Sequence, residues 1–294
     1  MIVLARRASA ILYNLLRSRQ DPRPFLLPAN VCGIVPEVFG LASQAFELID
    51  IEEPSLEIEH QACLQQLRTR PGGYAGLLFV RPYGSERDPT PFFGALKEIQ
   101  RDLLIIDDKC LCRPDPKGEF LSAAAGVTLF STGRAKYADI DGGGFAHLGD
   151  SVPYRSAFDD PVPAWLDIGT PDPAWNEYQE RVHAAVELAD DQKRALNTIY
   201  SEMLPPEIQF LPQFQNWRFN IRVSEPDELI RTIFANGMFA SRHYPVLSGG
   251  RYPVAEQLHA TIVNLFNDRY FDEERARRMA HLILEHLQST RDRA

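Results

Sequence analysis

Two apolar runs, Gly76-Leu77-Leu78-Phe79-Val80 and Leu103-Leu104-Ile105-Ile106, constrain the fold more than any other feature of the chain. Neither alternates with polar residues, so a strand made from either needs cover on both faces. The neighbouring segments supply that cover. His60 to Leu67 and Thr90 to Gln100 read as helices, and Ala8, Ile11, Leu12, Leu15 and Leu16 recur at helical spacing before the break at Asp21-Pro22-Arg23-Pro24. Phe25-Leu26-Leu27 and Ala45 to Asp50 read as strands, with a helix over Val31 to Leu41 that tolerates Pro36 through a bend or a late start. Val127 to Phe130 and Gly143 to Leu148 add two further strands. Strands buried on both faces and separated by helices make a mainly parallel sheet in an α/β large domain.

Past Asp150 the character of the chain changes, with prolines and aspartates accumulating up to Pro173 as in a linker or irregular excursion. Trp175 to Met203 then reads as one long amphipathic helix, with Val182, Ala185, Val186, Ala189 and Leu196 on one face. Strands over Trp217 to Val223 and Ala240 to Tyr244, a helix from Asp227 to Asn236 ended by Gly237, and a last helix from Phe271 to Leu287 describe a smaller α+β domain. The expected division is a large domain over 1–172, then the long helix and small domain over 173–294. A chain of 294 residues with 45% hydrophobic content can build both cores.

Several functions are set aside by charge and composition. The net charge of −9 is spread without a basic stripe, which argues against nucleic-acid binding. No apolar run reaches the ~20 residues that a bilayer requires, so no membrane association is expected. Met1 to Leu16 lacks the order of a secretory signal, which points to the cytoplasm. Cys32, Cys63, Cys110 and Cys112 show no Cys-x-x-Cys pair, and the seven histidines show no zinc spacing. Cys110-x-Cys112 reads as two small residues on one face near a core strand, and no metal is expected.

Chemistry concentrates at two places. Ile105-Ile106-Asp107-Asp108 sets two carboxylates at the carboxyl end of an apolar strand, where open α/β sheets bind ligands. They read either as a helix cap or surface turn, or as an acid awaiting a cation such as a pyridinium nitrogen. The strand Val127 to Phe130 then leads into Ser131-Thr132-Gly133-Arg134-Ala135-Lys136, followed by Gly142-Gly143-Gly144. Lysine is scarce, with only Lys97, Lys109, Lys117, Lys136 and Lys193 among 31 basic residues. A lysine kept in such a loop suits chemistry that needs an amine able to lose its proton, which a guanidinium cannot do; the other reading is a polar hairpin with a solvated lysine. The loop fails the nucleotide-binding pattern Gly-x-x-x-x-Gly-Lys-[Ser/Thr], and the glycine run lacks the spaced third glycine of a dinucleotide fold.

Taken in order, these segments resemble the DegT/StrS-like sugar aminotransferases, which are fold-type-I pyridoxal-phosphate enzymes. Leu27-Pro28-Ala29-Asn30 is similar to that family's strand ending in proline, Phe46 to Ile51 with Leu56 to Glu59 to its Asp-Val-Asp … Asn-Ile-Asp segment, and Arg81-Pro82-Tyr83-Gly84 to its His-Leu-Tyr-Gly turn. Ile106-Asp107-Asp108 resembles its Ile-Glu-Asp, Ser131 to Lys136 its serine and lysine, and Gly142 to Gly144 its Gly-Glu-Gly-Gly. Arg7-Ala8-Ser9-Ala10 looks like its Ser-Gly-Thr-Ala turn, and Gly237 to Tyr244 with Pro253 to Leu265 its small-domain segments. The chain resembles a shortened member, beginning almost at that turn. Cys32 stands where the family carries an aromatic stacked on the cofactor, Leu111 stands for a glutamine, and the partner-facing Gly-x-Asn-x-Arg loop has no counterpart after Asp150.

The resemblance implies pyridoxal 5′-phosphate held as a Schiff base by Lys136, with Asp108 facing the pyridine nitrogen, Ser131, Ser9 and Ala8 at the phosphate, and Cys32 beside the ring. It further implies Tyr83 and His243 as substrate contacts, glutamate as amino donor, a nucleotide-linked keto-sugar as acceptor in amino-sugar and surface-polysaccharide synthesis, and a homodimer. Elimination, decarboxylation or a silent cofactor-binding descendant are the alternatives.

Overall fold

In the computed structural model of the chain, residues 1–156, 161–169, 173–247 and 252–292 are described. Elements follow in the order β1 (Ile2–Ala5), α1 (Ala8–Arg19), β2 (Phe25–Pro28), α2 (Ile34–Leu41), β3 (Phe46–Ile49), α3 (His60–Thr69), β4 (Gly76–Val80), α4 (Thr90–Ile99), β5 (Leu104–Asp108), β6 (Val127–Ser131) and β7 (Gly144–Leu148). After these come α5 (Trp175–Met203), β8 (Phe219–Arg222), α6 (Pro226–Ala235), β9 (Ala240–Ser241), α7 (Pro253–Thr261), β10 (Ile262–Leu265) and α8 (Glu273–Arg291). The seven-stranded sheet runs β1-β7-β6-β5-β4-β2-β3, and β8-β10-β9 form a small antiparallel sheet.

Strands β3, β2, β4, β5 and β6 are parallel; β7 and β1 join antiparallel at one edge. The apolar runs divide as two-sided burial requires. Leu27, Leu78 and Ile106 pack with Ile11 and Leu12 of α1, whereas Leu26, Leu77 and Ile105 pack with Leu67 of α3 and Leu96 of α4. The result is the α/β three-layer large domain of fold-type-I enzymes with a small α+β unit after it. Helix α5 belongs to both cores: Tyr178, Val182 and Val186 pack on Phe130 and Phe145, and Leu196, Ile199 and Tyr200 pack among the residues of the small sheet.

Three elements have no counterpart in the sequence reading: β1, α7 and β10. Strand β1 is four residues on the sheet edge, half-exposed, and carries little periodicity to find. Helix α2 starts late, at Ile34, which keeps Pro36 within the first turn, where the missing N–H costs no hydrogen bond. The strand expected over Ala240 to Tyr244 is only Ala240–Ser241. Cys110 and Cys112 lie in a turn after β5 and not along a strand, with the Cys112 thiol 3.6 Å from the Ser85 carbonyl. Within the proline-rich excursion a short 3-10 turn covers Ala164–Leu166, and residues 157–160 and 170–172 lie outside the described ones. No helix among the described residues is long and apolar enough to cross a membrane.

Candidate active site

All the chemistry-bearing segments end on one edge of the sheet. The carboxyl ends of β1, β4, β5 and β6 and the amino end of β7 meet there, because β7 runs antiparallel and pairs Gly144 with both Ala5 and Ser131. A cavity of about 820 Å³ opens at this edge, lined among others by Ala8, Ser9, Cys32, Asp108, Ser131 and Lys136. The volume suits a small organic ligand with a second one beside it.

Alternation sorts the two aspartates. Asp107 turns to the sheet's other face and is fully buried in a two-pronged pair with Arg81, at 2.6 and 2.8 Å. Asp108 turns into the cavity. Its carboxylate accepts the Cys110 backbone N–H at 2.9 Å and forms no ion pair among the described residues. Burial raises its pKa above the ordinary carboxylate value, against the opposing pull of the Cys110 N–H and the Lys136 charge. An unpaired acid in this position favours a cationic ligand. Burial likewise pushes the Cys110 thiol well up, so it is a neutral part of the wall.

Other residues of the same lining suit an anion. No side chain caps α1, and its first turn holds no acidic residue, so its leading amides at Ala8 and Ser9 are offered to the cavity. Ser131 is 8% exposed, and its hydroxyl makes no hydrogen bond among the described residues. Gly144 is required by this close approach, since a Cβ there would lie 2.4 Å from the Ala8 nitrogen. Arg7, Arg134 and Arg181 also line the cavity.

Lys136 is half-buried in the loop after β6, which closes with its N–H on the Gly133 carbonyl at 3.1 Å. Thr132 braces that loop: its hydroxyl donates to the Gly142 carbonyl at 2.8 Å and contacts the Tyr178 hydroxyl of α5. The Lys136 charge acts on both Asp108 and His243. Burial, with help from Lys136 and Arg218, pulls His243 down to about 4, so the imidazole is neutral at pH 7.

The structure brings Lys136, Asp108, Ser131, Ala8, Ser9 and Cys32 to one wall, and places Tyr83 and His243 behind it. Tyr83 is buried and donates its hydroxyl to the His243 carbonyl at 3.0 Å; the His243 ring lies edge-on to Trp217, with centroids 4.7 Å apart. Tyr244, the next residue, lines the cavity instead and packs in one apolar cluster with Cys32. Tyr178, Arg181 and Tyr244 went unread because they arrive from elements far along the chain. Only Tyr178, one turn before Val182, lies on the amphipathic face of α5.

In its fold the chain is similar to a DegT DnrJ EryC1 StrS aminotransferase from Brucella abortus, with a TM-score of 0.73 and 16% identity over 97% of this chain and 85% of that one. It is similar to the putative sugar aminotransferase Spr1654 from Streptococcus pneumoniae in its PMP-form, with a TM-score of 0.71 and 14% identity over 96% and 86% of the two chains. The aminotransferase TlmJ from Streptoalloteichus hindustanus matches with a TM-score of 0.73 and 12% identity over 98% and 86%. No family model and no curated protein matches the sequence. Likeness at such identities carries the fold-type-I architecture; the activity has to be argued from the site.

Proposed function

We propose that the cavity holds pyridoxal 5′-phosphate through Lys136 and that the protein is an aminotransferase acting on a nucleotide-linked keto-sugar, with glutamate as donor. The observation that carries this reading is the make-up of one cavity, which gathers an unpaired carboxylate, Asp108, the open amides at Ala8 and Ser9, the unbonded Ser131 hydroxyl and Lys136. These residues fit the group: Asp108 would hold a pyridinium nitrogen, Ala8, Ser9 and Ser131 would hold a phosphate, and Cys32 would stand beside the ring. When bound, the cofactor supplies an electron sink for cleavage at the carbon that carries the transferred amine.

The chain's own work is positional and protonic. Asp108, kept as a carboxylate by a cationic partner, holds a proton on that partner. The Lys136 amine would take and return a proton at Nζ as general base and acid. Neutral His243 adds no competing charge near that amine. The braced Thr132–Gly142 contact keeps the lysine loop from swinging out. The cationic rim of Arg7, Arg134 and Arg181 suits the phosphates of a nucleotide-linked acceptor. The resemblance to the DegT/StrS-like enzymes further supports a homodimer.

The test is a half-reaction. Cofactor-loaded protein is mixed with single amino acids, and pyridoxamine phosphate is sought by mass spectrometry. Its formation with glutamate supports the reading. Loss of carbon dioxide or ammonia from the amino acid, or binding with no conversion, refutes the aminotransferase assignment.

A further inference from the structure

The residue before Lys136 is strained. Ala135 sits at φ +62°, in the left-handed region that a Cβ disfavours, and alanine has no polar side chain to bond the backbone in compensation. Such a conformation persists only where its surroundings hold it. Two groups do so. The Asp139 carboxylate accepts the Ala135 N–H at 2.9 Å, a bond made within the loop. The Trp217 indole N–H donates to the Ala135 carbonyl at 2.8 Å, reaching across 82 positions of sequence from the approach to β8.

Trp217 is itself fixed. It is 4% exposed, its backbone N–H donates to the Tyr83 carbonyl at 3.2 Å, and its carbonyl accepts the buried Lys193 ammonium at 2.8 Å. The next-door Asn216 amide donates to the Gly84 carbonyl at 2.9 Å. The indole is thus a rigid donor, tied to the turn after β4 and aimed at the loop after β6. It does not line the cavity; it packs beside Tyr244 and Cys32, which do, and its indole hydrogen bond reaches the lysine loop at Ala135.

We propose that Trp217 is the positioning residue of Lys136: by holding the Ala135 carbonyl it fixes the peptide from which the lysine departs and directs its amine toward Asp108. The inference rests on Lys136 being the functional amine of the proposed site. Without the indole N–H, Ala135 relaxes from its strained conformation and the amine turns to solvent. Glycine at 135 adopts positive φ without that cost, so it removes the need for the indole.

The experiment compares wild-type protein, Trp217→Phe, Ala135→Gly and the double variant, using labelling by trinitrobenzene sulfonate mapped to each lysine. That probe requires no cofactor. Trp217→Phe is expected to label Lys136 about fivefold faster, the size of one net hydrogen bond, with Lys97 and Lys117 unchanged. Pyridoxal-phosphate attachment at Lys136 slows by a similar factor. The double variant returns to within about twofold of Ala135→Gly alone. Unchanged Lys136 labelling in Trp217→Phe, or a change that glycine does not reverse, overturns the proposal. Should phenylalanine prevent folding, benzothienylalanine at 217 keeps the indole shape without its N–H and gives the same readings. Faster sulfonate labelling with no pyridoxal-phosphate attachment even in wild-type protein upholds the positioning role and refutes the cofactor assignment.

Discussion

Gly144→Ala tests whether the glycine run shapes the anion-binding part of the cavity. The new Cβ would stand 2.4 Å from the Ala8 nitrogen, 2.7 Å from its Cα and 2.9 Å from its Cβ, about 1 Å inside the 3.4 Å of ordinary contact. Gly144 cannot yield, because Ala5 and Ser131 hold it from both sides in the sheet. The start of α1 must move instead, carrying the Ala8 and Ser9 amides out of register with a bound phosphate. Overpacking of this kind costs about 1–3 kcal/mol, which lowers Tm by roughly 2–5 °C in a chain of this size. Misplacing hydrogen bonds to a charged group removes about 1.5–3 kcal/mol of binding, or roughly 10–100-fold in Kd. Gly142→Ala is the control, since its Cβ meets nothing nearer than the Arg6 carbonyl at 4.0 Å, and it changes Tm and Kd little. Calorimetry gives Tm, and titration with pyridoxal phosphate gives Kd. A folded Gly144→Ala protein that binds as tightly as wild type, or a Gly142→Ala protein that is equally damaged, refutes the reasoning.

Asp108→Asn separates binding from folding. A carboxylate whose folded pKa is raised by burial withdraws stability as pH climbs from its unfolded to its folded pKa, so the cofactor-free variant is more stable than wild type at pH 7 and equal to it well below the carboxylate range. Its turnover falls at least about 100-fold, checked by the half-reaction rate. Arg81→Met strands the fully buried Asp107 and costs about 3–5 kcal/mol in urea unfolding, whereas Arg81→Met/Asp107→Leu recovers most of that loss. Lys193, pulled down to about 7 by burial, binds fewer protons folded than unfolded, so its contribution to stability grows as pH rises from 7 toward 10. The Tm difference between wild type and Lys193→Met changes in that sense with pH; a difference constant in pH contradicts it.

The fold was legible where burial is two-sided. Leu77-Leu78 and Ile105-Ile106 each send neighbouring residues into opposite cores, and an uninterrupted apolar run is the pattern that leaves. The edge strand β1 and the pair α7–β10 were not legible, since a four-residue edge strand shows no period and a strand following its helix without a break blurs both periods. At the site, the local pieces were readable as Ser131 to Lys136 and Asp107-Asp108. Strand alternation sends those two aspartates to opposite faces, and finding Arg81 on Asp107 required only that rule and a nearby cation. Trp217 and Tyr244 were beyond such reading. Their place against Ala135 and Cys32 is set by how the small sheet docks on α5, a long-range packing result with no short spacing to record it. Tyr83 and His243 are joined to each other behind the wall, a contact spanning 160 positions.

The central claim is that the Lys136 amine holds pyridoxal phosphate. The protein is incubated with the cofactor, reduced with borohydride and digested, and every lysine-bearing peptide is weighed. The account predicts one pyridoxyl group per chain, on Lys136, absent from Lys97, Lys109, Lys117 and Lys193, and lost in Lys136→Arg. Label at any other lysine, or no label at saturating cofactor, contradicts it.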